Sequence, residues 1–220
     1  MLPNFEQKVS EIKKDIITMA EFVLSAFEES LDGIKSGNIE KIKSARDGSI
    51  KHLNYMAESV DNNIIVALAL YAPEAGELRN LIAMLKSTNE LMSISESMKK
   101  YSKSMQDIMS SDFDFESIKQ YVIDLHSISI RSIKQVIECF KEFNMDSYRS
   151  IHIEEEKSDE VFGVFQKELL SNPPAEQKQM LMYIKVIKTL KKHERVTDHC
   201  ENIARLVYYA NEGGRLTTKL

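Results

Sequence analysis

Glycine and proline are scarce in this chain, and that scarcity limits its possible folds more than any other feature. Seven Gly and four Pro are spread over 220 residues. Long stretches therefore carry nothing that stops a helix. Within them apolar residues recur at helical spacing, as in Ile16, Met19, Phe22, Val23, Ala26 and Phe27, or Ile118, Val122, Leu125, Val136 and Phe140. Six helices are expected, over residues 5–35, 39–70, 74–109, 115–143, 146–170 and 175–211. The breaks fall at Ser36-Gly37-Asn38, Ala72-Pro73, Ser110-Ser111-Asp112, Asn144-Met145-Asp146 and Ser171-Asn172-Pro173-Pro174, with Gly213-Gly214 as the last stop. Pro excludes the residue before it from the helical region, and Gly readily takes the left-handed cap. No segment reads as a strand.

Helices of this length draw their stability from packed apolar faces, and short connections make neighbours antiparallel. Two long helices, a proline break and a third long helix occur twice. The interval from Pro73 to Met92 matches that from Pro174 to Glu194 to within one residue. The layout is that of an internal duplication. The expected architecture is all-α, with one three-helix repeat over residues 1–110 and a second over 111–220.

The charge pattern narrows the function classes. The formal net charge is −5, and basic residues alternate with acidic ones, as in Glu11-Ile12-Lys13-Lys14-Asp15. Such mixing marks solvated helix faces, and no basic block of the kind that binds nucleic acid stands in the sequence. Cys139 and Cys200 lie far apart and form no paired motif, which fits reduced thiols in a cytoplasmic protein. The N-terminus lacks a signal-peptide pattern. The longest apolar run, Ile64 to Ala72, is too short to cross a bilayer, so any membrane contact would be peripheral or through a partner. Phosphate-loop, dinucleotide, nucleophile-elbow and zinc-protease motifs are all missing.

Candidate chemistry lies in the second half. Glu155 and Asp159 are four apart on one helix, and Glu194 and Asp198 are four apart on another. Residues at that spacing share a helix face. On a helical wheel the first pair shares its sector with Ile151, Phe162, Leu169 and Leu170, and the second with Met180, Ile184, Ile187 and Leu190. Glu154 and Glu156 point elsewhere and read as solvated charges. Carboxylates aimed at a core are costly unless paired or bound to a metal. Four such oxygens from two helices suit Mg, Mn or Fe better than Zn, which prefers His and Cys ligands. The competing reading is a salt-bridged seam neutralised by Lys157, Lys191 and Arg195. His152, one turn before Glu155, can join the site. His193 and His199 read as solvent-exposed, while His52 and His126 stand alone.

The segment Glu194-Arg195-Val196-Thr197-Asp198-His199-Cys200-Glu201-Asn202-Ile203-Ala204 resembles the ERxxDHxxNIA signature of the PhoU family. Pro73-Glu74-Ala75-Gly76-Glu77-Leu78-Arg79 resembles the family's PxxxDLR, with Glu77 for Asp. The resemblance covers nearly the whole chain and implies two three-helix repeats. It also implies metal ligands at Glu155, Asp159, Glu194 and Asp198. The first repeat departs from the pattern: Asp47 matches, but Lys51 and Met92 stand at two acidic positions and Glu96 replaces Asp. Lys51 is expected to pair with Asp47 or Glu96, and Met92 to continue the apolar row Leu78, Ile82 and Leu85. Any metal therefore belongs to the second repeat.

By that resemblance the protein would be a non-enzymatic, cytoplasmic, homodimeric negative regulator of phosphate uptake and phosphate-responsive transcription. Its partners would be a phosphate ABC transporter and a sensor histidine kinase. Two alternatives stay open, a carboxylate-bundle metalloenzyme and a metal-free helical scaffold. Thr197 stands where the ExxH motif of the former would place His.

Overall fold

The computed structural model describes residues 3–48, 50–171 and 173–213. Seven α-helices follow one another: α1 (Pro3–Ser36), α2 (Ile39–Asp47), α3 (Leu53–Tyr71), α4 (Ala75–Met109), α5 (Lys119–Lys141), α6 (Met145–Ser171) and α7 (Gln177–Glu212). A single 3-10 turn, Glu116–Ile118, leads into α5. The described residues contain no strand. The expected breaks at Asn172 and Gly214 lie outside the described residues.

One expected helix is in fact two. Residues 39–70 were to run unbroken, but α2 stops at Asp47, where the Gly48 amide bonds the Ser44 carbonyl, and α3 starts at Leu53. Asp47-Gly48-Ser49 is a turn signal. Ile50, only 1% exposed, anchors the connection in the core. Lys51 therefore does not follow Asp47 one turn along a continuous helix.

Local caps explain the other boundaries. Asn38 caps α2 through its side chain, and Glu74 and Glu77 form a reciprocal capping box at the start of α4. Ala72 closes α3 in the left-handed region, at φ 44°, directly before Pro73. At Gly33 a Cβ would stand 2.8 Å from Ile42 Cγ1 and 2.9 Å from the Asn38 carbonyl oxygen, so only glycine lets the end of α1 fold back onto α2.

The first repeat packs α1 against α2, α3 and α4, and the second packs α5, α6 and α7 together. The repeats join through α1 against α5 and, more extensively, α4 against α7. Helices α1, α4, α5 and α7 thus form a central four-helix layer, flanked by α2 and α3 on one side and α6 on the other. Apolar side chains from all seven helices form one continuous core. Several buried serines and threonines bond back to carbonyls one turn earlier, as Thr88 does to Met84 and Ser132 to Ile128, whereas the buried hydroxyls of Ser30, Ser87, Ser102 and Ser158 find no partner among the described residues.

The centre of this layer is polar. His126 and His193, both read from sequence as isolated or exposed, are 0% and 1% exposed, with ring centroids 4.8 Å apart. His126 Nε2 lies 2.8 Å from the Phe27 carbonyl oxygen, and Nδ1 lies 3.3 Å from the Tyr101 hydroxyl. His193 Nδ1 lies 2.9 Å from the Ser129 hydroxyl. Burial pushes His126 down to about 4 and His193 well below its ordinary value. Wheel position misplaced His193 because the core of α7 runs along Val186, Leu190, Val196, Cys200 and Val207, and His193 lies in that row.

Candidate metal centre

The acids of the second repeat sit at the margin of the α6–α7 interface rather than in its core. The buried stripe of α6 is Tyr148, Ile151, Ser158, Phe162 and Phe165. Glu155 and Glu194 border the cores of their helices and are largely shielded, whereas Asp159 and Asp198 face solvent. Ile184, expected in the same apolar sector, is 41% exposed. This wall is wet enough for carboxylates to stay charged and close enough for them to repel one another.

That repulsion shows in their proton affinities. Burial first, then Glu201, Asp159 and Asp198, raises the Glu155 carboxyl above its ordinary range. Burial first, then Glu194 and Asp159, raises Asp198. The four acids expected from spacing thus share one electrostatic field. Their pairing is unequal, since Glu194 accepts a hydrogen bond from Lys191 and is already partly neutralised.

The tightest donor group is one that spacing left incomplete. His152, Glu155 and Glu201 each offer a ligand atom, all within 4.8 Å of one another. His152 Nδ1 is 3.0 Å from Glu201 Oε1 and 3.9 Å from Glu155 Oε2. Arg205 holds the other Glu201 oxygen at 2.6 Å. Glu201 follows Glu194 and Asp198 at helical spacing, one further turn along the same face. The i,i+7 relation to Glu194 was the available signal.

Four other expectations are corrected. Glu154 is not a solvated charge: Arg131 of α5 approaches it to 2.7 Å and Lys157 to 3.0 Å, tying α6 to α5. His199 is bound to Glu90 of α4 at 2.5 Å, with Asn202 donating to the same oxygen at 3.4 Å. The His199 hydrogen bond holds Glu90 below the usual carboxylate range. In the first repeat Lys51 pairs with neither expected acid: Asp47 is held by Arg46 at 2.7 Å, and Glu96 lies 3.4 Å from Lys100. Met92 is half-buried beside the core row of α4, which runs through Leu81, Met84, Leu91, Ile94 and Met98 instead of Leu78, Ile82 and Leu85.

The signature segment therefore divides by face. Glu194, Asp198 and Glu201 turn toward the acidic margin, His199 and Asn202 clasp α4, and Val196, Thr197, Cys200, Ile203 and Ala204 fill the core. The family description "PhoU domain" matches twice, over residues 16–105 and 122–207. The chain belongs to the PhoU family.

Among curated relatives, the chain is similar to the phosphate-specific transport system accessory protein PhoU of Escherichia coli (strain K12). The two are 20% identical over 218 residues, covering 96% of this chain and 86% of that one. The PhoU homolog of Pseudomonas aeruginosa is 22% identical over 215 residues, with the same coverage of each chain. Among solved structures, PhoU from Pseudomonas aeruginosa superposes with a TM-score of 0.80 at 20% identity, over 96% of this chain and all of that one. The phosphate transport system regulatory protein PhoU from Streptococcus pneumoniae gives 0.81 at 18% identity, over 96% and 98%. These structures share the two-repeat helical fold.

The donor chemistry fits a hard cation. Five carboxylates and one imidazole gather along two helices, with Lys191 and Arg205 as neighbouring cations, and burial together with the adjacent acids leaves Glu155 and Asp198 raised. Both cysteines are buried and free, so neither takes part.

Proposed function

We propose that this PhoU-family protein is a non-enzymatic, cytoplasmic regulator of phosphate uptake that acts by contact and carries a metal site in its second repeat only. The observation that carries this reading is the cluster of carboxylates on α6 and α7, within which burial first and neighbouring acids second raise Glu155 and Asp198. Glu155, Asp159, Glu194 and Asp198 would hold Mg, Mn or Fe, with Glu201 and His152 completing the set. Bound there, such an ion would supply positive charge between the acids of α6 and those of α7. The repeats would divide between residues 110 and 111, a reading that the C-cap of α4 at Ser110 supports.

The relatives' name as transport-system accessory proteins supports a phosphate ABC transporter as partner, and the family resemblance adds a sensor histidine kinase and a homodimer. A ligand shifts such a contact only by binding one state better than the other. One surface suited to contact lies on α3, where Ile65, Val66 and Leu70 are 61%, 43% and 70% exposed. Exposed apolar faces of this kind mark interaction sites. Thr197 is buried with its hydroxyl bonded to the Glu194 carbonyl, so the position that a bundle metalloenzyme would give to His offers no ligand.

Elemental analysis of protein purified without chelator tests the site. Metal is expected in the parent and lost from the variant carrying Glu194→Ala and Asp198→Ala. Equal metal in both would remove the site from α7. No metal in the parent would leave a metal-free helical scaffold.

A further inference from the structure

The fold assembles a basic surface that the sequence does not show. Where Lys51 replaces an expected acid, a trough of about 640 Å³ is lined by Arg46, Asp47, Lys51, Lys99, Lys100 and Lys103. A second trough, of about 500 Å³, opens between α6 and α7 and is lined in part by Lys188, Lys191, Lys192 and Arg195. The two adjoin across the α4–α7 seam. Lys185 bonded to Asp107 at 2.7 Å and His199 to Glu90 at 2.5 Å fix an antiparallel register that sets Lys192 of α7 level with Lys99 and Lys100 of α4.

Nine cations meet there against three acids. Asp47 is held by Arg46, Glu96 by Lys99 and Lys100, and Glu194 by Lys191. Lys51, Lys103, Lys188, Lys192 and Arg195 have no acidic partner among the described residues. In a chain of net charge −5 this is a large local excess. Unpaired cations that repel one another cost stability, and an anion laid along them removes that cost.

The chemistry of the lining selects the anion. The first trough has no apolar or aromatic side chain, so it gives a membrane nothing to insert and a nucleobase nothing to stack on. In the second, the apolar lining is one half-buried side chain, Ile187, and the Phe162 ring, which is 6% exposed and already covered by the Lys191 ammonium at 5.2 Å. Seven of the nine cations are lysines, flexible point charges suited to phosphate oxygens that follow one another without fixed orientation. Two troughs joined at Lys100 and Lys192 fit a chain longer than a single phosphate.

We propose that this basic trough, running from the α2–α3 break across α4 to α7, binds a linear, base-free phosphate polyanion, with inorganic polyphosphate as the ligand. The site adjoins the acidic margin at Lys191, which bonds Glu194, and does not depend on metal there.

Titration calorimetry on the full chain, with chelator present so that no cation bridges phosphate to the acids, tests it. Long-chain polyphosphate should bind more tightly than tripolyphosphate, and inorganic phosphate should give no saturable heat in the same range. The logarithm of affinity should fall linearly with the logarithm of salt concentration. Lys51→Gln with Lys103→Gln, and Lys188→Gln with Arg195→Gln, should each reduce that slope by about one per cation removed. These side chains lie at the surface, and circular dichroism should show unchanged helicity. Lys134→Gln with Lys178→Gln, elsewhere on the surface, should leave the slope unchanged. Loss of slope from only one trough would overturn the continuous site, and no loss from either would overturn the site altogether. Binding of single-stranded DNA as tight as polyphosphate, or binding only to phosphatidylglycerol vesicles, would overturn the ligand assignment.

Discussion

Glu155 and Asp198 hold their protons more tightly in the folded chain than in the unfolded one, because burial and neighbouring acids raise both carboxyls. A group raised in this way favours the folded state below its ordinary pKa, and that advantage is lost as pH rises through the folded value. At neutral pH the acidic margin therefore works against the fold until a cation compensates it. Mg or Mn added to metal-free protein should raise Tm at pH 7 and have no effect at pH 4, as followed by circular dichroism. Without metal, Glu155→Gln should raise Tm at pH 7 by about 2–4 °C, the shift that about 1 kcal/mol gives in a chain of this size. A variant that keeps the full metal response would remove Glu155 from the site. At this scale the sequence showed the i,i+4 acid pairs correctly but omitted Glu201, and it could not show that Arg131 on another helix neutralises Glu154.

Among the elements, two backbone positions decide how the first repeat closes. Ala72 occupies the left-handed region before Pro73, where a side chain costs about 1–2 kcal/mol. Ala72→Gly should therefore stabilise the protein by about 1 kcal/mol in urea unfolding, with an unchanged m-value. Gly33→Ala should do the reverse. Its new methyl meets Ile42 and the Asn38 carbonyl below 3.0 Å, and overpacking of this kind costs about 1–3 kcal/mol. If Gly33→Ala were neutral, the turn between α1 and α2 would have to move apart. Helix number and order were legible from periodicity and breaks. The division of α2 from α3 was missed because the apolar pattern resumes after Gly48, and Ile50 earns its burial from tertiary packing that no local pattern records.

The molecule as a whole is held together across its repeats by the contacts of the buried His126–His193 pair with Phe27 and Tyr101 and by the Glu90–His199–Asn202 clasp. Burial lowers both buried histidines, so their contribution is complete above the ordinary histidine value and is lost as pH falls toward about 4. His126 alone accounts for about 3 kcal/mol over that window. Stability by urea titration should fall steeply between pH 6.5 and 4, and His126→Gln, uncharged throughout, should flatten part of that fall. An unchanged pH profile in the variant would show that the pair stays neutral for another reason, or that acid opens the repeats elsewhere.

By itself, the amino-acid sequence determined the helical class, the duplication and the family, because periodicity, helix stops and a signature segment are local properties. It also placed the second-repeat acids on shared helix faces. Only the tertiary structure decided which faces meet. It moved His193 from supposed surface and His126 from apparent isolation to the centre, brought Glu201 beside His152 at the acidic margin, and gathered scattered lysines into two basic troughs. Burial and electrostatic neighbourhood depend on what packs across an interface, and that partner lies tens of residues away in the chain.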